Sequence, residues 1–253
     1  MPDPQFVSGI TPLGKLSQAM NFQRLPCPRI PTLVTLDHRA VLVAAWAAHQ
    51  EESFSSVPDL LRLDAHLDMG EKPRPWKYEE SLLTNLDAVQ NVVNSTRVDD
   101  GGWVIPAIQW GFCRHVYSGC IHEYHRFPGD NGTLRDYRGG EHHLNTESSL
   151  SGLLQRYAQS RHSSVPLWVD IDLDFATTRQ PEGNVTVWSQ QEWDVQFPSE
   201  VAHQFADLIN TRAALVTIAL EPWFCGGVYA CGLIAREFEH RMKSQTDVFN
   251  GLS

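Results

Sequence analysis

The sequence lacks several features that define common classes of protein. No apolar run approaches the roughly 18 residues of a membrane-spanning helix, and the amino-terminal segment MPDPQFVSG has neither a basic flank nor an apolar stretch. The motifs G-x-S-x-G, G-x-x-x-x-G-K-[ST] and G-x-G-x-x-G are also absent. We therefore expect a cytoplasmic protein, and the sequence gives little support to an enzyme built on a serine elbow, a phosphate loop or a dinucleotide turn.

Cysteine is scarce and basic residues are outnumbered. The five cysteines contain no C-x-x-C pair, which disfavours a disulfide framework and a cysteine-based zinc site. The chain has 20 Lys and Arg against 30 Asp and Glu, so its formal net charge is −10. This balance opposes sequence-independent binding to nucleic acid or to an anionic membrane, and it favours a cationic substrate.

Short apolar runs alternate with amphipathic segments of helical length, which is typical of parallel strands joined by helices. The pattern predicts strands at 32–36, 60–63, 103–108, 166–172 and 215–220, and helices at 39–50, 79–93, 149–159, 199–211 and 228–243. Residues 114–145 have the least regular pattern and are predicted to be an irregular insertion. With no repeat or linker in the sequence, we expect a single α/β domain over residues 1–253, with three α/β/α layers and a mainly parallel sheet.

Acidic residues and a histidine follow two of the predicted strands at alternate positions. Asp64, His66 and Asp68 lie in LLRLDAHLD, and a second set of alternating aspartates lies in PLWVDIDLDF. Since residues i, i+2 and i+4 of extended backbone point to one face, each set converges. Each motif alone is explained as well by a solvated loop or an exposed strand face as by a ligand-binding site. Both motifs, however, follow apolar strand cores, where open α/β sheets bind ligands.

Five carboxylates in one place require a cation, because their mutual repulsion and desolvation are otherwise costly. Oxygen and imidazole ligands without thiolates suit manganese, magnesium or zinc. Two metal ions that share bridging carboxylates would use all of these ligands and would activate a water. The sequence therefore predicts a binuclear metal site.

Together with Asp37-His38, these segments resemble the DAHxD and S-x-D-x-D signatures of the ureohydrolase superfamily, which is also called the arginase-deacetylase superfamily. The wider frame LDH…LLRLDAHLDM…GGWVIPA…LWVDIDLDF…CGG is similar to a branch that contains the peptide arginases of cyanobacterial ribosomal-peptide biosynthesis. The resemblance covers residues 36–227. It implies an arginase-like fold, two Mn²⁺ ions, and conversion of arginine in a precursor peptide to ornithine with release of urea.

The resemblance also implies a role for each matching residue. One metal ion would be bound by His38 and Asp68, the other by His66 and Asp172, and both would be bridged by Asp64 and Asp170. Asp68 would carry the proton from the attacking water to the leaving nitrogen. Glu221, before a proline after the last predicted strand, would hold the guanidinium by charge-assisted hydrogen bonds. The alternative for Glu221 is a strand cap or a pair with an arginine.

Other residues depart from the family pattern. Asp174 does not lie in the family's D-x-x-D-P turn and is predicted to orient a ligand or to close the strand. The histidine that arginases use to shuttle protons, in N-L-H-G, has no counterpart after Asp68. His142 and His143, in the glycine-rich segment GGEHHL, are candidates for substrate binding or proton transfer, and a solvated loop is the alternative. His122 and His125, in HEYH, lack the H-E-x-x-H metal spacing.

Three alternative functions stay open. A hydrolase of free arginine or agmatine would use the same metal site, although the S-x-N-x-H-G segment that binds the free amino acid is absent. A one-zinc deacetylase usually has D-x-H where this chain has Asp170-Ile171-Asp172. A non-catalytic protein with this metal fold would bind a peptide without releasing urea.

Overall fold

The structure is a computed structural model that describes residues 22–27, 29–69, 83–94, 102–120, 132–136, 138–160, 164–179 and 184–253. The strands are β1 (Gln23–Arg24), β2 (Thr32–Thr35), β3 (Asp59–Leu63), β4 (Val116–Gly119), β5 (Gly132–Arg135), β6 (Glu141–Thr146), β7 (Leu167–Asp172), β8 (Thr177–Arg179), β9 (Val185–Val187) and β10 (Ala213–Ala219). The α-helices are α1 (Val41–Gln50), α2 (Leu86–Asn94), α3 (Val104–Gln109), α4 (Leu150–Gln159), α5 (Gln190–Gln196), α6 (Ser199–Arg212) and α7 (Val228–Met242).

Eight of these strands form one sheet in the order β1-β2-β10-β7-β3-β4-β6-β5. The six strands from β2 to β6 in this order pair in parallel, and β1 and β5 add antiparallel edges. Strands β8 and β9 form a separate antiparallel pair. The predicted α/β class with a mainly parallel sheet is confirmed.

The sheet is covered on both faces by helices. Leu61 and Val169 belong to a core cluster with α4, α6 and α7, whereas Leu60 and Trp168 belong to a cluster with α1, α2 and α3. Neighbouring strand residues thus face opposite helical layers, because side chains alternate across a strand. Burial on both faces also explains why these strands are nearly continuous apolar runs in the sequence. None of the helices in the described ranges is long and apolar enough to cross a membrane.

Helix α3 occupies the segment for which the sequence predicts a strand, so that prediction is wrong. All residues from Val104 to Ile108 are buried, and a short run that is apolar throughout has no periodicity to separate a helix from a strand. Pro106 fits because it lies in the first helical turn, where backbone N–H groups have no intrahelical acceptor.

Residues 114–145, predicted to be an irregular insertion, instead contribute strands to the sheet. β4 pairs with β3 in the parallel part, and β5 and β6 extend the sheet beyond it. Residues 121–131 and 137 lie outside the described ranges, and with them His122 and His125. The burial of β5 and β6 is mixed, so their sequences have no apolar run that predicts a strand.

Candidate metal centre

The parallel register brings the predicted metal-binding segments to one edge of the sheet. Arg62 of β3 lies opposite Asp170 of β7, which in turn lies opposite Thr217 of β10. Thr217 Oγ1 donates a hydrogen bond of 2.7 Å to Asp170 Oδ1. Since these strands run in the same direction, the residues that follow them, including Asp64 and Glu221, emerge at the same carboxyl edge.

His38 lies at the centre of this edge and is buried. It begins a 3-10 helix directly after β2, which is capped by the side chain of Asp37. The Nε2 atom of His38 is 2.8 Å from Asp170 Oδ2, and its Nδ1 atom is 3.0 Å from Asp172 Oδ2 and 3.2 Å from Asp68 Oδ2. One imidazole therefore contacts carboxylates from two separate strand ends.

His66 lies beside a second group of carboxylates. Its Nδ1 atom is 2.7 Å from Asp174 Oδ2 and 3.7 Å from Asp64 Oδ1. Asp174 is fixed because its Oδ1 atom accepts a hydrogen bond from Ala65 N at 3.0 Å. Its Oδ2 atom is buried and faces the His66 imidazole. A buried carboxylate is costly unless a cation or a hydrogen-bond donor compensates its charge.

The residues at this edge fit two divalent cations. Two sets of three residues could each hold an ion, because the ligand atoms within each set lie within 4.8 Å of one another. The first set is His38, Asp64 and Asp172, and the second is Asp64, His66 and Asp174. Asp64 belongs to both sets, as a bridging carboxylate would. When all five buried aspartates at this edge are ionised, they and the buried Arg62 carry four net negative charges, which two divalent ions would neutralise. The ligand types are those that manganese accepts.

These sets differ in part from the pairing that the sequence resemblance implies. His66 lies with Asp174 rather than with Asp172, and Asp174, which is predicted to orient a ligand or close the strand, belongs to a set of possible ligands itself. Asp172 lies with His38 instead. Asp170 also contacts His38, but its other oxygen is bonded to Thr217.

Arg62 is a buried guanidinium that the sequence pattern does not single out, because it lies within an otherwise apolar run. Its Nη2 atom donates to Asp68 Oδ2 at 2.5 Å and also to Asp64, and its Nη1 atom donates to Leu67 O at 2.7 Å. The guanidinium carbon of Arg62 lies 4.9 Å from the ring centre of Trp103. Trp103 Nε1 also donates a hydrogen bond of 2.8 Å to Asp68 Oδ2. The signal in the sequence was the position two residues before Asp64, which puts Arg62 on the same strand face.

The charge of Arg62 determines the protonation of Asp68. Burial alone would raise the pKa of this carboxyl group, but the adjacent guanidinium outweighs burial and holds the pKa well below its usual range. Asp68 is therefore ionised. The pKa of Asp64 is raised well above its ordinary value by burial and by the charge of Asp68, with Arg62 opposing both.

Three further groups at this edge hold protons more strongly than usual in the metal-free protein. Burial and the charge of Asp174 raise the pKa of Asp172 to about 7. Burial and the charge of Asp172 raise the pKa of Glu221 to about 8. Burial lowers the pKa of His66, but the neighbouring Asp174 carboxylate outweighs burial and raises it to about 9. Protons thus take the place of cations when no metal is bound.

The metal-free protein should become less stable as the pH rises from 5 to 9. The folded protein keeps protons on Asp172 and Glu221 that the unfolded chain releases above about pH 4, so their contribution is lost as the pH rises through about 7 and 8. The contribution of His66 is complete below its unfolded pKa of 6.5 and is lost as the pH rises through about 9. Thermal unfolding in the presence of a chelator measures this slope.

Added Mn²⁺ should weaken or reverse the pH dependence, because the metal competes with protons for the same oxygen and nitrogen atoms. A chelated protein whose Tm increases steadily over this pH range would contradict the protonation of these groups.

Both residues that were predicted to be catalytic have a left-handed backbone. The φ angle is 51° at Asp68 and 36° at Glu221, and Glu221 also precedes Pro222. Such conformations cost about 1–3 kcal/mol each for residues other than glycine, and they cluster at functional sites. Glu221 Oε1 accepts a hydrogen bond of 3.1 Å from His38 N. The strained backbone thus holds the Glu221 carboxylate next to His38 and the carboxylates that contact it.

His142 and His143 are not brought to this edge, contrary to their predicted role in substrate binding. They lie near the amino end of β6, whereas the metal-binding residues lie at the carboxyl ends of parallel strands. His142 lies 2.5 Å from Arg114 O and 3.0 Å from Asp136 Oδ2, and the ring of His143 lies 4.9 Å from that of His115. The direction of β6, which the sequence did not predict, is the reason.

Comparisons with known proteins identify a fold. No protein-family model and no curated protein sequence matches the chain. The solved structure of proclavaminate amidino hydrolase from Streptomyces clavuligerus matches with 13% identity and a TM-score of 0.51, over 87% of this chain and 64% of that one. An agmatinase-like protein from Clostridium difficile matches with 13% identity and a TM-score of 0.43, over 88% and 69% of the two chains.

The chain thus spans a little under two thirds of the amidino hydrolase, and at this identity the likeness concerns the fold. The parallel sheet, its flanking helices and the match together show that the chain has an α/β fold like that of proclavaminate amidino hydrolase.

Proposed function

We propose that this protein is a metal-dependent ureohydrolase that converts arginine side chains of a peptide to ornithine and releases urea. The observation that carries the proposal is the cluster of one buried histidine, one half-buried histidine and five buried aspartates at the carboxyl edge of the sheet, with Glu221 beside it. The shared fold with an amidino hydrolase supports the reaction class. Mn²⁺ is the proposed ion, since the ligands are carboxylates and imidazoles.

The ligand sets would hold two divalent ions, which supply Lewis acidity and lower the pKa of a water at the site. In the reaction, the oxygen of that water bonds to the guanidinium carbon, and the bond from this carbon to the side-chain nitrogen breaks. Both protons of the water move to that nitrogen, so that the products are urea and a primary ammonium group.

Asp68 is the proposed proton carrier. Arg62 keeps its carboxylate ionised, which is the form that accepts a proton. Hydrogen bonds from Arg62 and Trp103 to Oδ2 fix the orientation of this side chain. Fixed orientation matters because proton transfer requires a hydrogen-bond distance to the reacting group.

Glu221 is the proposed substrate-binding residue. Its Oε1 atom accepts a hydrogen bond from His38 N, and a carboxylate has further lone pairs on both of its oxygens. A guanidinium donates parallel N–H bonds to such an acceptor, and a charge-assisted bond of this kind is about twice as strong as a neutral one. A cationic guanidinium would also favour the ionised form of Glu221.

Two observations support a peptide rather than free arginine as the substrate. The net charge of −10 suits a cationic peptide, and the S-x-N-x-H-G segment that binds the free amino acid in arginases is absent from the sequence. The two alternatives are a hydrolase of free arginine or agmatine and a non-catalytic peptide-binding protein.

Mass spectrometry of an arginine-containing peptide, incubated with the protein and Mn²⁺, tests the proposal. We expect each modified arginine to lose the mass of CN₂H₂ while urea accumulates. Free arginine and agmatine are assayed in parallel. Urea from these two compounds alone would contradict the peptide substrate, and metal binding without urea from any guanidine would contradict the enzyme.

Glu221→Gln should keep the metal ions and lose activity. The substitution preserves the size of the side chain but removes the charge that pairs with the guanidinium. We expect kcat/KM for the peptide to fall by about 10²-fold, equivalent to about 3 kcal/mol. Urea release and elemental analysis of bound manganese measure the two effects separately. Glu200→Gln, at an exposed position in α6, is the matched control. Loss of manganese in Glu221→Gln would make Glu221 a metal ligand instead.

A further inference from the structure

Large apolar side chains are exposed beside the metal centre. Five of them lie within residues 223–233 and form what we call the exposed aromatic surface. Their exposed fractions are 91% for Trp223, 43% for Phe224, 79% for Val228, 81% for Tyr229 and 36% for Leu233. Tryptophan and tyrosine are enriched at binding interfaces, and contiguous apolar exposure marks such sites. These features indicate that the surface is a binding site.

This surface is carried by a turn that is firmly anchored. The backbone reverses between Glu221 and α7 through Gly226 and Gly227, whose φ angles are 90° and 112°. Gly227 N donates to Pro222 O at 2.6 Å. The thiols of Cys225 and Cys231 both contact Leu220 O, at 3.2 and 3.0 Å. The turn buries Cys225 while Trp223 faces solvent, so the exposure of the indole follows from a defined turn.

The exposed aromatic surface lies next to the metal centre. The ring of Phe224 meets the ring of His66 edge-on, with 5.4 Å between their centres. Trp223 lies two residues after Glu221, the proposed guanidinium-binding residue. A ligand that places a cation at Glu221 thus has apolar side chains next to it.

The surface continues over more than one turn of α7. Tyr229 and Leu233 are four residues apart in α7 and lie on the same helix face. From Val228 to Leu233 the helix rises about 7.5 Å, at about 1.5 Å per residue. A peptide has side chains on both sides of its arginine that can cover this length of helix.

We propose that the exposed aromatic surface binds peptide residues that flank the target arginine, and that these residues are apolar or aromatic. The inference rests on the proposed function, which concerns the arginine itself. It adds that the protein prefers apolar or aromatic residues beside that arginine in the peptide. Such a peptide complements both parts of the site, because its guanidinium meets carboxylates and its apolar side chains meet Trp223 and Tyr229. A second copy of this chain is the less favoured occupant, since it brings a like charge of −10.

The test compares the double variant W223S/Y229S with the wild type and with Val195→Ser. Val195 is also apolar and 68% exposed, but it lies in α5, outside the exposed aromatic surface, and is the matched control. Turnover is measured with a short peptide that has one arginine between leucine and phenylalanine, and with Nα-acetylarginine N-methylamide. Binding is measured by calorimetry on the manganese-loaded protein, using the same peptide with lysine in place of arginine, which cannot release urea.

We expect W223S/Y229S to lower the ratio of kcat/KM for the peptide to kcat/KM for the small amide by about tenfold or more, and to raise the Kd of the lysine peptide by a similar factor. Val195→Ser should match the wild type in both measurements. Equal ratios and equal Kd values in all three proteins would overturn the inference, even if the peptide is converted to ornithine.

Two further outcomes separate this inference from the proposed function. If the lysine peptide binds and W223S/Y229S weakens it, but no guanidine releases urea, the surface still binds peptide and the proposed function fails. If light scattering shows that W223S/Y229S converts an oligomer to a monomer while peptide binding is unaltered, the occupant is a second copy, and the inference is overturned.

Discussion

Asp170→Ala should abolish urea release and remove bound metal. Asp170 is fully buried, and its two oxygens contact His38 Nε2 and Thr217 Oγ1. The substitution removes one of the carboxylates that the cations would neutralise and leaves the buried Arg62 with one fewer counter-charge. We expect a loss of at least about 10³-fold in kcat/KM, equivalent to about 4 kcal/mol. The loss follows from the absent metal, so excess Mn²⁺ should restore little activity.

Elemental analysis of bound manganese and urea release from the peptide measure this prediction. Thr217→Val is the matched control, because it removes the hydrogen bond to Asp170 but keeps the carboxylate. A partner of this kind is worth about 10–100-fold in metal affinity or activity, so the control should lose less than Asp170→Ala. Wild-type activity in Asp170→Ala would contradict both the metal centre and the proposed function.

Arg62→Met should strongly destabilise the metal-free protein. Methionine keeps much of the length of the side chain but removes the guanidinium that binds Asp64, Asp68 and Leu67 O. Breaking a buried ion pair by removing one partner costs about 3–5 kcal/mol, because the other charge stays buried and uncompensated. We therefore expect a loss of about this size in the free energy of unfolding.

Urea denaturation in the presence of a chelator measures this loss, and repetition with Mn²⁺ shows how much of it the metal recovers. Arg62→Lys is the matched control, since it keeps the positive charge and loses the planar fork of donors. It should lose less stability than Arg62→Met. Equal stability of Arg62→Met and the wild type in chelator would mean that Arg62 does not balance the aspartates.

The central strands were predictable because they are buried on both faces. The apolar runs before Asp64 and Asp170 mark β3 and β7 in the sequence, and the alternating aspartates mark their carboxyl ends. The helices that follow have amphipathic patterns of helical length. What the sequence could not provide is the order of strands in the sheet, because pairing depends on contacts between distant segments.

The errors have the same origin. The juxtaposition of Arg62 and Asp170 appears only when β3 is known to lie beside β7. The distance of His142 from the metal centre depends on the direction of β6. Helix α3 and its Trp103, which binds Asp68, were misjudged because a short run of buried residues has no helical periodicity. Contacts fixed by tertiary structure are the ones that local patterns miss.

The wide separation of the metal-binding residues along the chain ties metal acquisition to folding. His38 and Asp170 are 132 residues apart, yet lie in contact. An unfolded chain offers only local groups such as Asp64 and His66, so the complete site exists only after β2, β10, β7 and β3 have paired. Parallel pairing of distant strands closes long loops and is slow. Tightly bound metal would therefore report a completed sheet, and its binding free energy would add to the stability of the folded state.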